Sequence, residues 1–129
     1  MTQSLFAVTL LVPDYDDAIA FYTQTLRFTL LQDVDLGGGK RWVRVAPPGS
    51  GNASLLLAKA DGPGQTAAVG NQTGGRVGFF LQTDDFQRDH NAMVTAGVHF
   101  EEDPRNEPYG TVAVWRDPFG NRWDLIQFN

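Results

Sequence analysis

Two stretches decide the fold of this chain: VPDYDDAIAFYTQTLRF at residues 12–28 and RDPFGNRWDLIQ at residues 116–127. In the first, an apolar run ends at Pro13, and Asp14 follows as a candidate helix N-cap. Apolar side chains then recur at helical spacing, so this stretch predicts a strand followed by a helix. In the second, the turn at Asp117–Asn121 leads into a strand, along which alternate side chains point to opposite faces.

The same reasoning, carried outward from these stretches, predicts a strand, a helix and three strands in each half of the chain. In the first half we predict strands at Leu5–Val12, Phe28–Val34, Arg41–Ala46 and Ala53–Ala58, with a helix at Tyr15–Thr25. In the second half we predict strands at Arg76–Thr83, Val98–Glu102, Thr111–Arg116 and Arg122–Phe128, with a helix at Asp85–Ala96. Asp61–Gly75 is rich in Gly, Gln and Thr and is predicted to be a linker.

The two halves form an internal repeat. A shift of about 71 positions pairs Tyr15 with Phe86, Tyr22 with Met93 and Phe28 with His99. The repeat predicts an α+β fold made of two βαβββ modules, at about 4–60 and 76–129 of a single domain. We expect them to form a curved, partly open mixed sheet around a cavity, with the helices on the outside.

Length and composition narrow the functional classes. The chain has 129 residues and a net charge of −5, so we expect one domain that does not bind nucleic acid. An acidic protein favours neutral or cationic small molecules. Cysteine is absent, which excludes thiolate chemistry. No apolar run approaches about 20 residues and no signal-peptide pattern is present, so we expect no membrane partner and a cytoplasmic location.

Three motifs carry a family resemblance. Residues 14–22 match D-x-x-x-A-x-x-F-Y, residues 117–125 resemble D-P-x-G-N-x-x-E-L, and residues 74–100 look like the start of a second module. Together they resemble the vicinal-oxygen-chelate proteins, which include glyoxalases, bleomycin resistance proteins and dioxygenases. The resemblance implies the fold predicted above. It also implies a homodimer, because binding grooves in that family often form between two subunits.

The resemblance further implies four metal-ligand positions, which fall on Ala7, Leu56 (or an immediate neighbour), Gly78 and Asp124. A divalent ion needs several nitrogen or oxygen donors at one point. Only Asp124 offers one, so we expect no metal and no cofactor. This argues against metal-dependent glyoxalase, dioxygenase and fosfomycin-type transferase activities, which use the ion to polarise an oxygen or to hold an anion.

Asp124 has two possible roles. It can be a structural carboxylate, hydrogen-bonded to Arg122, to Arg44 or to a backbone amide. Alternatively, it is a half-buried acid in the cavity, where burial would raise its pKa and make it a proton acceptor or a cation anchor.

Strand alternation and the resemblance together select candidate ligand-binding residues. A cavity with aromatic walls and a few polar groups suits a flat or cationic organic molecule. The candidates are Ala7, Thr9, Trp42, Arg44, Leu56, Gly78, Phe80, Gln82, Tyr109, Trp115 and Asp124. Trp42 and Arg44 share one strand face, but the pattern does not decide which way that face points.

Three functions follow from these features. The first is metal-independent binding of a small organic molecule. The alternative is a glyoxalase-like lyase or isomerase that acts on a small carbonyl compound, with Asp124 as acid or base and Arg44, Gln82 or Tyr109 positioning the substrate. The third is a subunit or regulatory module whose cavity is filled by its own side chains.

Overall fold

A computed structural model of the chain describes residues 1–49, 51 and 53–129. The chain divides into two compact units, Met1–Val69 and Gly70–Asn129. Each unit combines helices with one mixed sheet, which confirms the predicted α+β fold class. No helix in the described residues is both long and apolar enough to span a membrane.

The first unit is built on a sheet with the strand order β1-β4-β3-β2, in which β1 runs parallel to β4 and the other neighbours are antiparallel. Its elements are β1 (Ala7–Val12), α1 (Tyr15–Ile19), β2 (Thr29–Gly37), β3 (Lys40–Ala46), β4 (Ser54–Lys59) and α2 (Gly62–Ala68). The helix predicted at Tyr15–Thr25 starts as α1 and continues in π-helical geometry over Ala20–Thr25.

The second unit repeats this plan with the strand order β5-β9-β8-β6, in which β5 runs parallel to β9. Its elements are β5 (Phe79–Gln82), α3 (Phe86–Thr95), β6 (His99–Phe100), β7 (Arg105–Glu107), β8 (Gly110–Arg116) and β9 (Arg122–Phe128). A short strand, β7, also pairs with β8 and lies in the stretch between the predicted strands Val98–Glu102 and Thr111–Arg116.

The helix N-caps confirm the repeat at atomic level. The Asp14 carboxylate accepts a hydrogen bond of 2.9 Å from the Asp17 backbone N–H. The Asp85 carboxylate accepts one of 3.1 Å from the Arg88 N–H. The two caps are 71 positions apart, and each satisfies an N–H that the first turn of its helix leaves unpaired.

Each sheet has a helix-covered face and an open face. In the first unit the covered face is fully buried at Leu10, Val12, Val43, Val45 and Leu57, with Tyr22 packed from the helical side. In the second unit Trp115, Trp123 and Leu125 are buried in the same way. Because side chains alternate along a strand, the neighbours of these residues belong to the other face, which we call the open face, although Val112 and Ile126 on that face of the second sheet are also buried.

The helix α2 lies inside the segment predicted to be a linker. Gly62 and Gly64 are poor helix formers, and the segment has no apolar period, so sequence pattern does not reveal the helix. The Gln65 side chain accepts a hydrogen bond of 2.9 Å from the Asp61 N–H and closes the first turn. α2 packs against β1.

The closing motif is organised by the buried carboxylate of Asp117. Its Oδ1 atom accepts hydrogen bonds of 2.9 Å from the N–H groups of Phe119 and Asn121. Its Oδ2 atom accepts one of 2.7 Å from the Asn121 side chain. Gly120 completes the turn with a φ of 99°, a conformation that favours glycine. The turn therefore fixes where β9 begins.

Candidate functional site

The open face of the first sheet brings several of the predicted ligand-binding residues together. Backbone pairing places Thr9 opposite Leu56, Leu56 opposite Arg44, and Arg44 opposite Gln32. These four residues form a row across all four strands. Val43 and Val45 point into the core, so Trp42 and Arg44 point to the open face. The sequence pattern alone does not decide this direction.

A cavity of about 830 Å³ lies on this face. Its floor comes from β1 and β4, one wall from Trp42 and the tip of the β2–β3 hairpin, and another wall from the start of α2. The lining residues used below are Thr9, Leu11, Lys40, Trp42, Leu56, Ala58, Lys59, Asp61 and Gln65. Three predicted residues, Thr9, Trp42 and Leu56, therefore share one cavity, while Ala7 and Arg44 are not among its lining residues.

Trp42 and Arg44 are held in place by one glutamine. The Gln32 Oε1 atom accepts a hydrogen bond of 2.9 Å from the Trp42 indole N–H and one of 2.6 Å from Arg44 Nε. Arg44 Nη1 also donates to the Ser54 hydroxyl at 3.0 Å, and its guanidinium lies over the Phe6 ring at 4.3 Å. The indole is thus oriented before any ligand arrives.

The cavity rim next to Trp42 is fixed by Arg41. Its guanidinium bonds Asp33 at 2.7 Å and Asp16 at 2.8 Å and lies 5.2 Å from the centre of the Tyr15 ring. The hydrogen bonds from Arg41 hold the pKa of Asp33 below its usual value. These contacts tie the hairpin to α1, so the rim is anchored from the covered side of the sheet.

On the second sheet, Phe80 lies opposite Asp124, and Gln82 lies opposite Ile126. Gly78 directly precedes β5, and its N–H donates to the Arg122 carbonyl at 3.0 Å. A Cβ at position 78 would lie 2.6 Å from the Thr73 methyl carbon, so close packing against Thr73 explains why this position is a glycine. The residues predicted by alternation in this half therefore share the open face of their own sheet.

Asp124 lacks the hydrogen bonds expected of a structural carboxylate. Its Oδ1 atom is buried and has no hydrogen-bond partner among the described residues. The Arg122 guanidinium, one predicted partner, instead bonds Glu101 at 2.8 Å and the Gly75 carbonyl at 2.9 Å. Burial raises the pKa of Asp124, and the arginines Arg105 and Arg122 only partly oppose this shift. These features favour the half-buried acid over the structural carboxylate as the role of Asp124.

Two predicted aromatic residues of the second unit lie elsewhere. Trp115 is fully buried and stacks on Trp123 with ring centres 5.0 Å apart, so it belongs to the core and we exclude it from the ligand-contact set. Trp115 lies two residues after Ala113 on β8, so strand alternation places both side chains on the same face of the sheet, together with Leu125, which pairs with Ala113. Tyr109 is half exposed at the β7–β8 turn, where its ring lies 6.4 Å from that of Phe128.

The donor set does not fit a metal ion of the kind that the resemblance implies. Ala7 offers a methyl group, Leu56 a branched hydrocarbon, and Gly78 no side chain. Asp124 is the single carboxylate of the four. Within the described ranges, no group of three or more His, Cys, Asp or Glu side chains could hold an ion. A lone carboxylate is not the converging donor set that such an ion requires.

Sequence reasoning missed four residues of this site. Gln32, which orients Trp42, could have been found by pairing β2 with β3, since it lies opposite Arg44. Lys40 continues the alternation of Trp42 and Arg44 by one step. To predict Lys59 and Gln65 as cavity residues, one must know where β4 ends and α2 begins, and no local signal in the sequence marks that boundary.

Comparison with known proteins agrees with the motifs. An uncharacterized protein from Shewanella frigidimarina is 52% identical over 130 residues, which cover 100% of this chain and 96% of that protein. The crystal structure of UcmS2 matches with a TM-score of 0.84 and 30% identity over 98% of each chain. TnmS3, an antibiotic binding protein from Streptomyces sp. CB03234, matches with a TM-score of 0.78 and 30% identity, covering 99% of this chain and 98% of its own.

The family profile described as Glyoxalase/Bleomycin resistance protein/Dioxygenase superfamily matches residues 4–125. This range includes both strand–helix motifs and almost all of the closing segment. The resemblance inferred from the sequence is confirmed, and the chain belongs to the Glyoxalase/Bleomycin resistance protein/Dioxygenase superfamily.

Proposed function

We propose that this protein binds a small, flat organic molecule in the cavity of its first sheet, without a metal ion. The observation that carries the proposal is the oriented indole of Trp42 beside an apolar floor that contains Leu56. A volume of about 830 Å³ falls within the range of roughly 300–1,000 Å³ typical of small-molecule sites. The antibiotic binding that is recorded for TnmS3 supports the same class of function.

The composition of the cavity supports a planar ligand. Leu11, Leu56 and Ala58 provide an apolar floor, and the Thr9 hydroxyl and the Gln65 amide add polar groups to the lining. Such a mixture removes apolar ligand surface from water and uses a few polar contacts for orientation. An aromatic ring stacked on a rigid indole adds about 0.5–1.5 kcal/mol beyond its buried area.

Metal independence rests on the donor chemistry of the four positions that correspond to family ligands. Only Asp124 of the four carries a side-chain oxygen, so we infer that the binding energy comes from the cavity itself. Each contact named above is made by a side chain of the protein, and none requires an ion between protein and ligand.

A thermal-shift screen tests the proposed function. A ligand that binds only the native state raises the melting temperature, and at 100 times its Kd it stabilises the protein by about 2.7 kcal/mol. We expect planar aromatic compounds to raise the melting temperature more than saturated compounds of equal size, because only the aromatic compounds stack on the indole. No shift with any planar compound at millimolar concentration contradicts the proposal.

We also propose that the protein is a homodimer. Several large apolar side chains are exposed on edge strands or next to them: Leu5 at 70%, Phe6 at 59% and Phe80 at 65%. A second copy that covers these side chains would remove them from water through a two-fold contact. Sedimentation equilibrium should give twice the monomer mass, and Phe80→Glu should lower it to that of the monomer.

A second candidate function is proton transfer by Asp124, as in a lyase or isomerase acting on a small carbonyl compound. The unpartnered Oδ1 atom and the raised pKa favour it, because a general base works best when its pKa is near the working pH. In an isomerisation, the carboxylate would take a proton from the carbon next to the carbonyl to give an enolate and return it to a different atom of that enolate; in an elimination, the enolate would expel a group from the next carbon, and that group would take the proton.

Asp124→Asn should stabilise the protein at pH 7. Because burial raises the pKa of Asp124 in the native state above 3.8, the native state binds a proton more tightly than the unfolded chain. Stability therefore falls as pH rises between 3.8 and the native pKa, and asparagine removes this loss. We expect a gain in the free energy of unfolding at pH 7 that shrinks toward pH 4, measured by urea unfolding at both pH values.

Two results separate the roles of Asp124. A less stable D124N variant at pH 7 would show that the carboxylate is a structural partner. If the protein has lyase or isomerase activity, D124N should abolish turnover while leaving aromatic ligand binding within twofold of the wild type.

A further inference from the structure

One face of the first sheet carries cations and no acid. Lys40, Trp42 and Arg44 are alternate residues of β3 and so share the open face, with about 7 Å between successive positions. Among the described strands of this unit, no Asp or Glu belongs to that face. The aromatic wall of the cavity is thus flanked by a positive charge on either side.

The acids of this unit's strands lie on the opposite face. Asp33 pairs with Val43 and Asp35 pairs with Arg41, both of which point to the covered side. Asp33 and Asp16 bind Arg41 there and compensate its charge. At the open side the carboxylate that lines the cavity is Asp61, which follows the end of β4.

Arg44 holds its charge without an acidic partner. Its hydrogen bonds go to two neutral acceptors, the Gln32 amide oxygen and the Ser54 hydroxyl. No carboxylate of the described residues lies within 4.0 Å of its guanidinium nitrogens. A partly buried guanidinium in a fixed orientation binds a carboxylate well, since charge-assisted hydrogen bonds are about twice as strong as neutral ones.

We propose that the ligand is a planar aromatic anion, whose ring stacks on Trp42 in the cavity next to Lys40 and whose carboxylate or phenolate extends past the cavity lining to Arg44, the next residue of β3 on the same face. This inference rests on the proposed function, and it specifies the charge of the ligand. The net charge of −5 favours cationic or neutral ligands, but the charges nearest a binding site dominate because more distant ones are screened by salt.

Three naphthalene probes of equal shape test the proposal: 2-naphthoate, 2-naphthylmethanol and 2-naphthylmethylammonium. Calorimetric titration should give at least tenfold tighter binding for the naphthoate than for the alcohol, and weaker binding for the ammonium compound. Arg44→Met and Lys40→Met should each weaken naphthoate binding threefold to tenfold and leave the alcohol within twofold. Arg76→Met, an equal charge change at an exposed position of the second unit, should have no effect.

The outcomes separate this inference from the proposed function. If the alcohol binds in the cavity but the naphthoate binds no more tightly, the inference about charge is wrong and the proposed function stands. The inference is also wrong if the ammonium compound binds most tightly. If none of the three probes binds below millimolar concentration, both proposals fail. Arg44→Lys, which keeps the charge, should retain the preference for naphthoate and shows that a loss in R44M does not come from misfolding.

Discussion

Replacing Trp42 with leucine should weaken the binding of planar aromatic ligands by about fivefold to a hundredfold. The indole forms the aromatic wall of the cavity, and its N–H donates a hydrogen bond of 2.9 Å to Gln32. Because the indole is already fixed, a ligand can stack on it without a further loss of side-chain entropy. Stacking on an aromatic side chain contributes about 1–3 kcal/mol, and 1.4 kcal/mol corresponds to a factor of ten. Calorimetric titration with 2-naphthylmethanol measures the change, because that probe carries no charge.

Phe128→Leu is the matched control for this variant. Phe128 is an exposed aromatic residue at the end of β9, outside the cavity, and its replacement also shortens an aromatic side chain to leucine. We expect the affinity of this control to stay within twofold of the wild type. Equal losses in both variants would show that the ligand binds nonspecifically to exposed aromatic surface.

Gly70→Ala should lower the free energy of unfolding by about 3 kcal/mol. A Cβ at Gly70 would lie 2.1 Å from the Phe119 carbonyl oxygen in the closing turn, and this backbone atom cannot move without breaking the turn. The φ of 73° adds about 1–2 kcal/mol, because side-chain-bearing residues are strained in the left-handed region. Overpacking adds about 1–3 kcal/mol. Urea unfolding followed by tryptophan fluorescence measures the loss.

Gly74→Ala isolates the steric part of that effect. Gly74 has a similar φ of 68°, but nothing lies within 4 Å of a Cβ placed there. We expect this variant to lose only the conformational cost of about 1–2 kcal/mol. Similar losses in the two variants would mean that the packing of Gly70 against the closing turn contributes little to stability.

Much of the fold could be predicted because its signals are local. The Asp14 and Asp85 caps, the helical spacing after them and the turn at Asp117 each depend on a few neighbouring residues. The elements that were missed depend on distant contacts. The helix α2 forms from poor helix formers and packs against β1, and β7 exists because it pairs with β8.

The site was predicted less completely than the fold. Alternation along the first strand selected Thr9 and the family resemblance selected Leu56, and both residues line the cavity of the first sheet. Alternation could not orient Trp42, since both faces of β3 carry large side chains and only packing against α1 distinguishes them. Trp115 was misplaced because an aromatic residue suits a core as well as a binding wall.

The most direct test of the central claim is the affinity of a planar aromatic ligand before and after removal of divalent ions. 2-Naphthoate is titrated into protein treated with EDTA, into the same protein supplied with millimolar manganese and into the same protein supplied with millimolar zinc. These three titrations give three dissociation constants. Binding in the cavity by its own side chains predicts that the three values agree within twofold. Loss of binding in EDTA, with recovery when a metal is added, would contradict it.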